Sequence, residues 1–103
     1  GDSEGLAEIA RTERDPELRE AAIHSMGITG GGGAALKQIY LAHGDRQTRE
    51  AVIHALFIQN NAKMMIELFR AEQDKEMRRE IVRKLSLMSS PEATDLLMKM
   101  LDQ

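Results

Sequence analysis

The chain has no cysteine and no tryptophan, and its only aromatic residues are Tyr40, Phe57 and Phe69. Without cysteine there is no disulfide to staple the fold and no thiolate to hold a metal. With so few rings the core must be aliphatic, and seven methionines help to fill it. No apolar run approaches the ~18 residues of a membrane-spanning helix, so no membrane insertion is expected. No signal-peptide pattern opens the chain, and Gly1 reads as the remnant of a cleaved tag. Neither sign of charge dominates. Charged residues make up 30% of the sequence and the net charge is only −3. That balance argues against a nucleic-acid binder driven by bulk charge, and no nucleic-acid partner is expected. At 103 residues the chain is expected to be one soluble domain, burying ~65% of the surface its unfolded form exposes.

What is present is repetition. "DPELREAAIHSMGI" from Asp15, "DRQTREAVIHALFI" from Asp45 and "DKEMRREIVRKLSL" from Asp74 align without gaps. Asp15, Asp45 and Asp74 correspond. So do Arg19, Arg49 and Arg78 one turn later, and Met26, Leu56 and Leu85 beyond them. Each copy reads as a helix start, because an aspartate N-cap accepts orphan backbone N–H groups and Pro16 suits the first helical position. Apolar residues follow at helical spacing: Leu18, Ala21, Ala22 and Met26 in the first copy, Val52, Ala55 and Leu56 in the second. These are the A helices. A B helix follows each, with stripes Leu36/Ile39/Tyr40, Ala62/Met65/Ile66/Phe69 and Ala93/Leu96/Leu97/Met100. Leu6, Ile9 and Ala10 stand to Asp15 as Leu36, Ile39 and Tyr40 stand to Asp45, so the chain opens inside a B helix. The expectation is an all-α fold of about seven helices: a half repeat over 4–14, then repeats over 15–44, 45–73 and 74–103.

The motif "DPELREAAIHSMG" resembles the HEAT-repeat family in its short bacterial form, and the resemblance runs from about Leu6 to the end. The third copy departs from the pattern, with Glu80, Arg83 and Lys84 where small residues are usual. The resemblance implies a right-handed, armadillo-like α-solenoid of antiparallel hairpins, with A helices on the convex side and B helices on the concave side. It also implies a scaffold that binds a protein partner and needs no cofactor. The expected partner surface is the set of B-helix positions off the buried stripe: Lys37, Gln38 and Leu41, then Lys63, Glu67 and Arg70, then Thr94, Asp95 and Met98. A second reading is an accessory or regulatory piece of a larger enzyme, since such repeats occur in bilin lyases and fused to catalytic domains. Either way the chain is expected to be a fragment of a longer protein. The apolar Met98 and Leu101 near one end, and Leu6 and Ile9 near the other, suggest end-to-end self-association.

Other candidates for chemistry are weaker. The run Gly30–Gly33 precedes a helix, but no Lys-Ser or Lys-Thr follows it and no strand pattern precedes it, so neither phosphate-binding fingerprint fits. The equivalent positions in the other repeats hold Asn60-Asn61 and Ser90-Pro91, which are corner residues. His24 and His54 are repeat-equivalent, and neither is followed by the glutamate of the HEAT-like deoxyhypusine hydroxylases, so no metal site is expected. The carboxylates lie on charged helix faces rather than as an isolated pair, and no catalytic residue is expected. The basic run Arg70 to Lys84 is interleaved with Glu72, Glu76 and Glu80 and reads as a solvated face, unlike the basic concave face of HEAT-like DNA glycosylases. The series Asp15/Arg19, Asp45/Arg49 and Asp74/Arg78 is expected to form a structural ladder between neighbouring repeats.

Overall fold

The computed structural model describes residues 2–101. Gly1, Asp102 and Gln103, which the repeat boundaries and the reading of a tag remnant include, lie outside them. Seven helices follow one another: α1 Asp2–Thr12, α2 Pro16–Thr29, α3 Gly33–Ala42, α4 Arg46–Ile58, α5 Ala62–Ala71, α6 Lys75–Ser86 and α7 Pro91–Leu101. There is no strand among the described residues.

Helix starts follow the sequence chemistry. The Asp15 carboxylate accepts from Glu17 N at 3.0 Å, that of Asp45 from Thr48 N at 3.0 Å and that of Asp74 from Met77 N at 2.9 Å. Asn61 and Ser90 cap α5 and α7 in the same way. Each side-chain cap stabilises its helix by ~1 kcal/mol. α3 differs, because its N-cap is Gly32 and no side chain serves.

Packing has a fixed rule. α2, α4 and α6 form one row, each packed on the next, and α1, α3, α5 and α7 form the other. Contacts between the rows join α1 to α2, α3 to α4, α4 to α5, α5 to α6 and α6 to α7. The Cα atoms span 41 × 25 × 16 Å, and the thinnest dimension fits two helix layers at the usual 8–10 Å separation. The core lies between the rows and is aliphatic: Ile23, Met26, Leu36, Ile39, Ile53, Leu56, Met65, Leu68, Ile81 and Leu85 are all fully buried, with Tyr40 as the one large polar-tipped member.

On α4 the expected stripe Val52, Ala55 and Leu56 is buried, but on α2 the stripe is rotated from the sequence expectation. On α2 the buried set is Arg19, Ala22, Ile23, Met26 and Gly27, whereas Leu18 is 55% exposed and Ala21 is exposed. The reason is positional. Thr48 and Met77, which correspond to Leu18, are buried beside the preceding A helix, and α2 has no A helix before it among the described residues. Gly27 sits where α2 crosses α4: a Cβ there would come within 3.0 Å of Ala55 Cα, so the close approach requires glycine.

Candidate interaction surface

The three arginines of the repeat share one geometry. Arg19 Nη1 donates to Glu13 O at 2.6 Å, Arg49 Nε to His43 O at 3.0 Å and Arg78 Nη1 to Glu72 O at 2.8 Å. Each acceptor lies six residues upstream, at the corner between a B helix and the next A helix. The guanidinium therefore closes carbonyls that the end of the B helix leaves open. Arg49 also lies over the Tyr40 ring at 4.7 Å and Arg78 over the Phe69 ring at 3.9 Å. Ala10 holds the equivalent position before Arg19 and offers no ring.

The expected ladder takes shape at one step and is rerouted at the next. Arg19 Nη2 reaches Asp45 at 3.3 Å, and its Nε donates to Thr48 Oγ1 at 2.8 Å, so α2 is tied to α4. Burial alone would raise the Asp45 pKa, but hydrogen bonds from Thr48 and the charge of Arg19 hold it below the ordinary aspartate value. Arg49 does not reach for Asp74. It binds Glu72 at 3.0 and 3.2 Å, because the Glu72 carboxylate is the nearer anion and is already buried. Asp15 and Asp74 act as N-caps, and Arg78 donates to the carbonyls of Phe69 and Glu72.

Glu72 is the group that sequence reasoning missed. It is 5% exposed, yet it accepts from the Tyr40 hydroxyl, from Arg49 and from the backbone N–H groups of Gln73 and Asp74. Burial works against its charge, but those hydrogen bonds and the Arg49 guanidinium win and hold the carboxyl below its ordinary value. The same burial, with Glu72 as acceptor, raises the Tyr40 pKa. The available signal was Tyr40 itself, the only B-stripe residue with a hydroxyl, which needs a partner when buried.

The B row carries the surface expected to bind a partner. A groove of about 720 Å³ runs across α3, α5 and α7. Lys37, Lys63, Glu67, Arg70 and Asp95 line it; Gln38, Leu41, Thr94 and Met98 are exposed on the same helices but outside it. Glu92 and Lys99, absent from the sequence-based set, complete its charged rim, and Ile66, Ala71 and Leu96 line it between them. Lys37 Nζ binds Glu67 at 2.7 Å across α3 and α5, and this hydrogen bond holds the Glu67 carboxyl below its ordinary value. Ser90 does the same for Glu92. A carboxyl kept ionised accepts hydrogen bonds and pairs with cations; it is the opposite of the raised carboxyl that a general acid needs.

The remaining candidate residues take the following places in the fold. Gly30, Gly31 and Gly32 have φ of 81°, 73° and 68°, values that require glycine, and Gln59 Nε2 ties their corner by donating to Met26 O and Gly31 O. Asn60, at φ 55°, turns the next corner. The His24 and His54 rings stack nearly parallel with centroids 6.3 Å apart, and no group of three His, Cys, Asp or Glu among the described residues could hold a metal. In the basic run, Arg83 binds Glu80 at 2.8 Å, Lys84 lies over Phe57, and Lys75, Arg79 and Arg83 rim a second hollow of about 550 Å³ that includes Phe69, Val82 and Met100. No helix among the described residues is long and apolar enough to cross a membrane. Comparison of the chain with protein-family models, with curated proteins and with solved structures found no match.

Proposed function

We propose that this chain is a HEAT-like right-handed α-solenoid module that binds a protein partner along its B-helix face. The two helix rows, the gap-free A-helix repeat and the recurring arginine closure support the solenoid reading. The observation that carries the binding reading is the groove, because three successive B helices contribute side chains to it at once: Lys37 from α3, Glu67 and Arg70 from α5, Asp95 and Lys99 from α7. A surface assembled from repeated positions is how a solenoid presents an extended site. Both signs of charge around an apolar floor suit an extended peptide segment with mixed charges and small apolar side chains.

The test is selection from a displayed random-peptide library with the wild-type chain, followed by binding of the enriched peptides to a Lys63→Glu, Arg70→Glu variant. Enriched peptides are expected to lose affinity for the variant by roughly tenfold or more, a change of about 1.4 kcal/mol or more. Peptides that bind both proteins equally, or a library that yields none above background, would overturn the reading.

A further inference from the structure

We propose that the partner segment seats an Asp or Glu side chain between Arg70 and Lys99, with an apolar side chain two residues away on the floor of the groove; this rests on the peptide-binding reading of the B-helix face. Apart from Lys37, the lining of the groove comes from α5 and α7, which pack side by side. α5 begins at Ala62 and α7 at Pro91, so Lys63 corresponds to Glu92 and Arg70 to Lys99. Three levels follow one another toward the C-terminal ends of the two helices. Lys63 stands across from Glu92, Ile66 and Leu96 form the middle level, and Arg70 stands across from Lys99.

The last level lacks a counter-charge. At the first, the Lys63 charge acts on the Glu92 carboxylate, which also accepts from Ser90. At the middle, Glu67 is held by Lys37 at 2.7 Å. Arg70 and Lys99 are exposed, carry like charges at equivalent places, and have no hydrogen-bond or ion-pair partner among the described residues. Packed helices stand ~8–10 Å apart, so both long side chains can close on one carboxylate from outside. Such an anion relieves their repulsion and takes a bidentate hydrogen bond from the guanidinium. Glu67 and Asp95 border the middle level, which disfavours a carboxylate there and confines the acidic residue to the last. A cation in the last turn also suits the helix dipole, but that role favours no particular residue in a bound peptide.

Spacing sets the motif. Ile66 and Arg70 are one turn apart, about 6 Å at the helical rise per residue. In an extended peptide, side chains two residues apart point the same way and stand about 6.6 Å apart. An acidic residue on Arg70 and Lys99 therefore brings the residue two away onto Ile66 and Leu96, whose side chains suit an apolar contact.

The test takes peptides enriched from the displayed library by the wild-type chain. They are made with amidated C-termini, so that side chains supply the carboxylate, and with the acidic residue as such, as its amide, or as Lys. Each is titrated against wild type, an Arg70→Gln, Lys99→Gln variant and an Arg70→Glu, Lys99→Glu variant. Enriched peptides are expected to share Asp or Glu two residues from an apolar residue. Amide for acid is expected to weaken binding to the wild type roughly tenfold or more, and to change little on the glutamine variant. The glutamate variant is expected to prefer the Lys version, which also shows that it is folded. Peptides that lose affinity for the Lys63→Glu, Arg70→Glu variant, yet bind the wild type equally well as acid and amide, would overturn this inference while leaving the groove a peptide site. An acid preference that persists in full on the glutamine or glutamate variant would do the same. A library that yields no peptide would overturn the binding reading and this inference with it.

Discussion

Replacing Glu72 by glutamine removes one charge from a buried cluster while keeping its shape. The carboxylate divides its work: Oε1 takes the Tyr40 hydroxyl and Arg49, and Oε2 takes Arg49 and the N–H groups of Gln73 and Asp74. A glutamine amide keeps one oxygen. Its best placement leaves that oxygen on the two backbone donors and turns the NH₂ to Tyr40, whose hydroxyl reverses to accept. Arg49 then loses its anion. A hydrogen bond to a charged group stabilises by about 1.5–3 kcal/mol, and the amide is cheaper to bury than the carboxylate, which offsets part of that loss. Arg49 is partly solvated and keeps His43 O, so it is not stranded. The net cost expected at pH 7 is about 1–2 kcal/mol, with the midpoint falling by about 4–8 °C for each kcal/mol in a chain of this size. The pH dependence gives the sharper test. The folded-state pKa of Glu72 is depressed, so its contribution is full above the unfolded value of about 4.3 and is lost as pH falls through the folded one. Wild type and variant should therefore converge in acid. Thermal unfolding followed by circular dichroism from pH 7 down to pH 3 measures this. A gap that stays constant or widens toward acid, or no gap at neutral pH, would refute the reasoning.

Three further outcomes are expected. Arg19→Ala should destabilise the chain by about 2–3 kcal/mol in denaturant titration, because it removes a buried side chain that ties α2 to α4 and leaves Glu13 O open; Arg46→Ala, whose bridges are exposed, should change the midpoint far less. Gly30→Ala should cost about 1–3 kcal/mol, since φ is positive there, whereas Gly5→Ala in the open middle of α1 should stabilise by about 0.5–1 kcal/mol in the same titration. ATP or GTP with magnesium should leave the melting temperature unchanged, where binding at a hundredfold excess over Kd would add about 2.7 kcal/mol.

The helices were legible because their starts carry local chemistry. Asp15, Asp45, Asp74, Asn61 and Ser90 name their helices before any tertiary contact forms. The repeat offset likewise assigned the glycine run to a corner. Rotation of α2 was not legible. Leu18 and Ile23 are both apolar, and only the presence or absence of a neighbouring A helix decides which is covered. The ladder failed to extend for a related reason. Sequence offsets pair Arg49 with Asp74, but a closer anion, Glu72, is recruited from the corner position where the other two repeats hold Glu13 and His43. The groove was half legible: B-helix positions gave Lys37, Lys63, Glu67, Arg70 and Asp95, and missed Glu92 and Lys99, which need the position of α7 beside α5.

On the proposed function, stability and recognition fall on different residues. The arginine closures, the Asp15, Asp45 and Asp74 caps and the Glu72 cluster lie at the corners where a B helix hands over to an A helix. The groove residues Lys63, Arg70, Asp95 and Lys99 are exposed on the B row and take part in none of those closures. Substitutions at independent sites add, and exposed ones away from such features change stability by about 0.5 kcal/mol or less. The Lys63→Glu, Arg70→Glu variant is therefore expected to melt close to the wild type even where it no longer binds peptide. On the proposed function, the groove positions Lys63, Arg70, Asp95 and Lys99 can change charge without endangering the fold, as a surface that discriminates among partners requires.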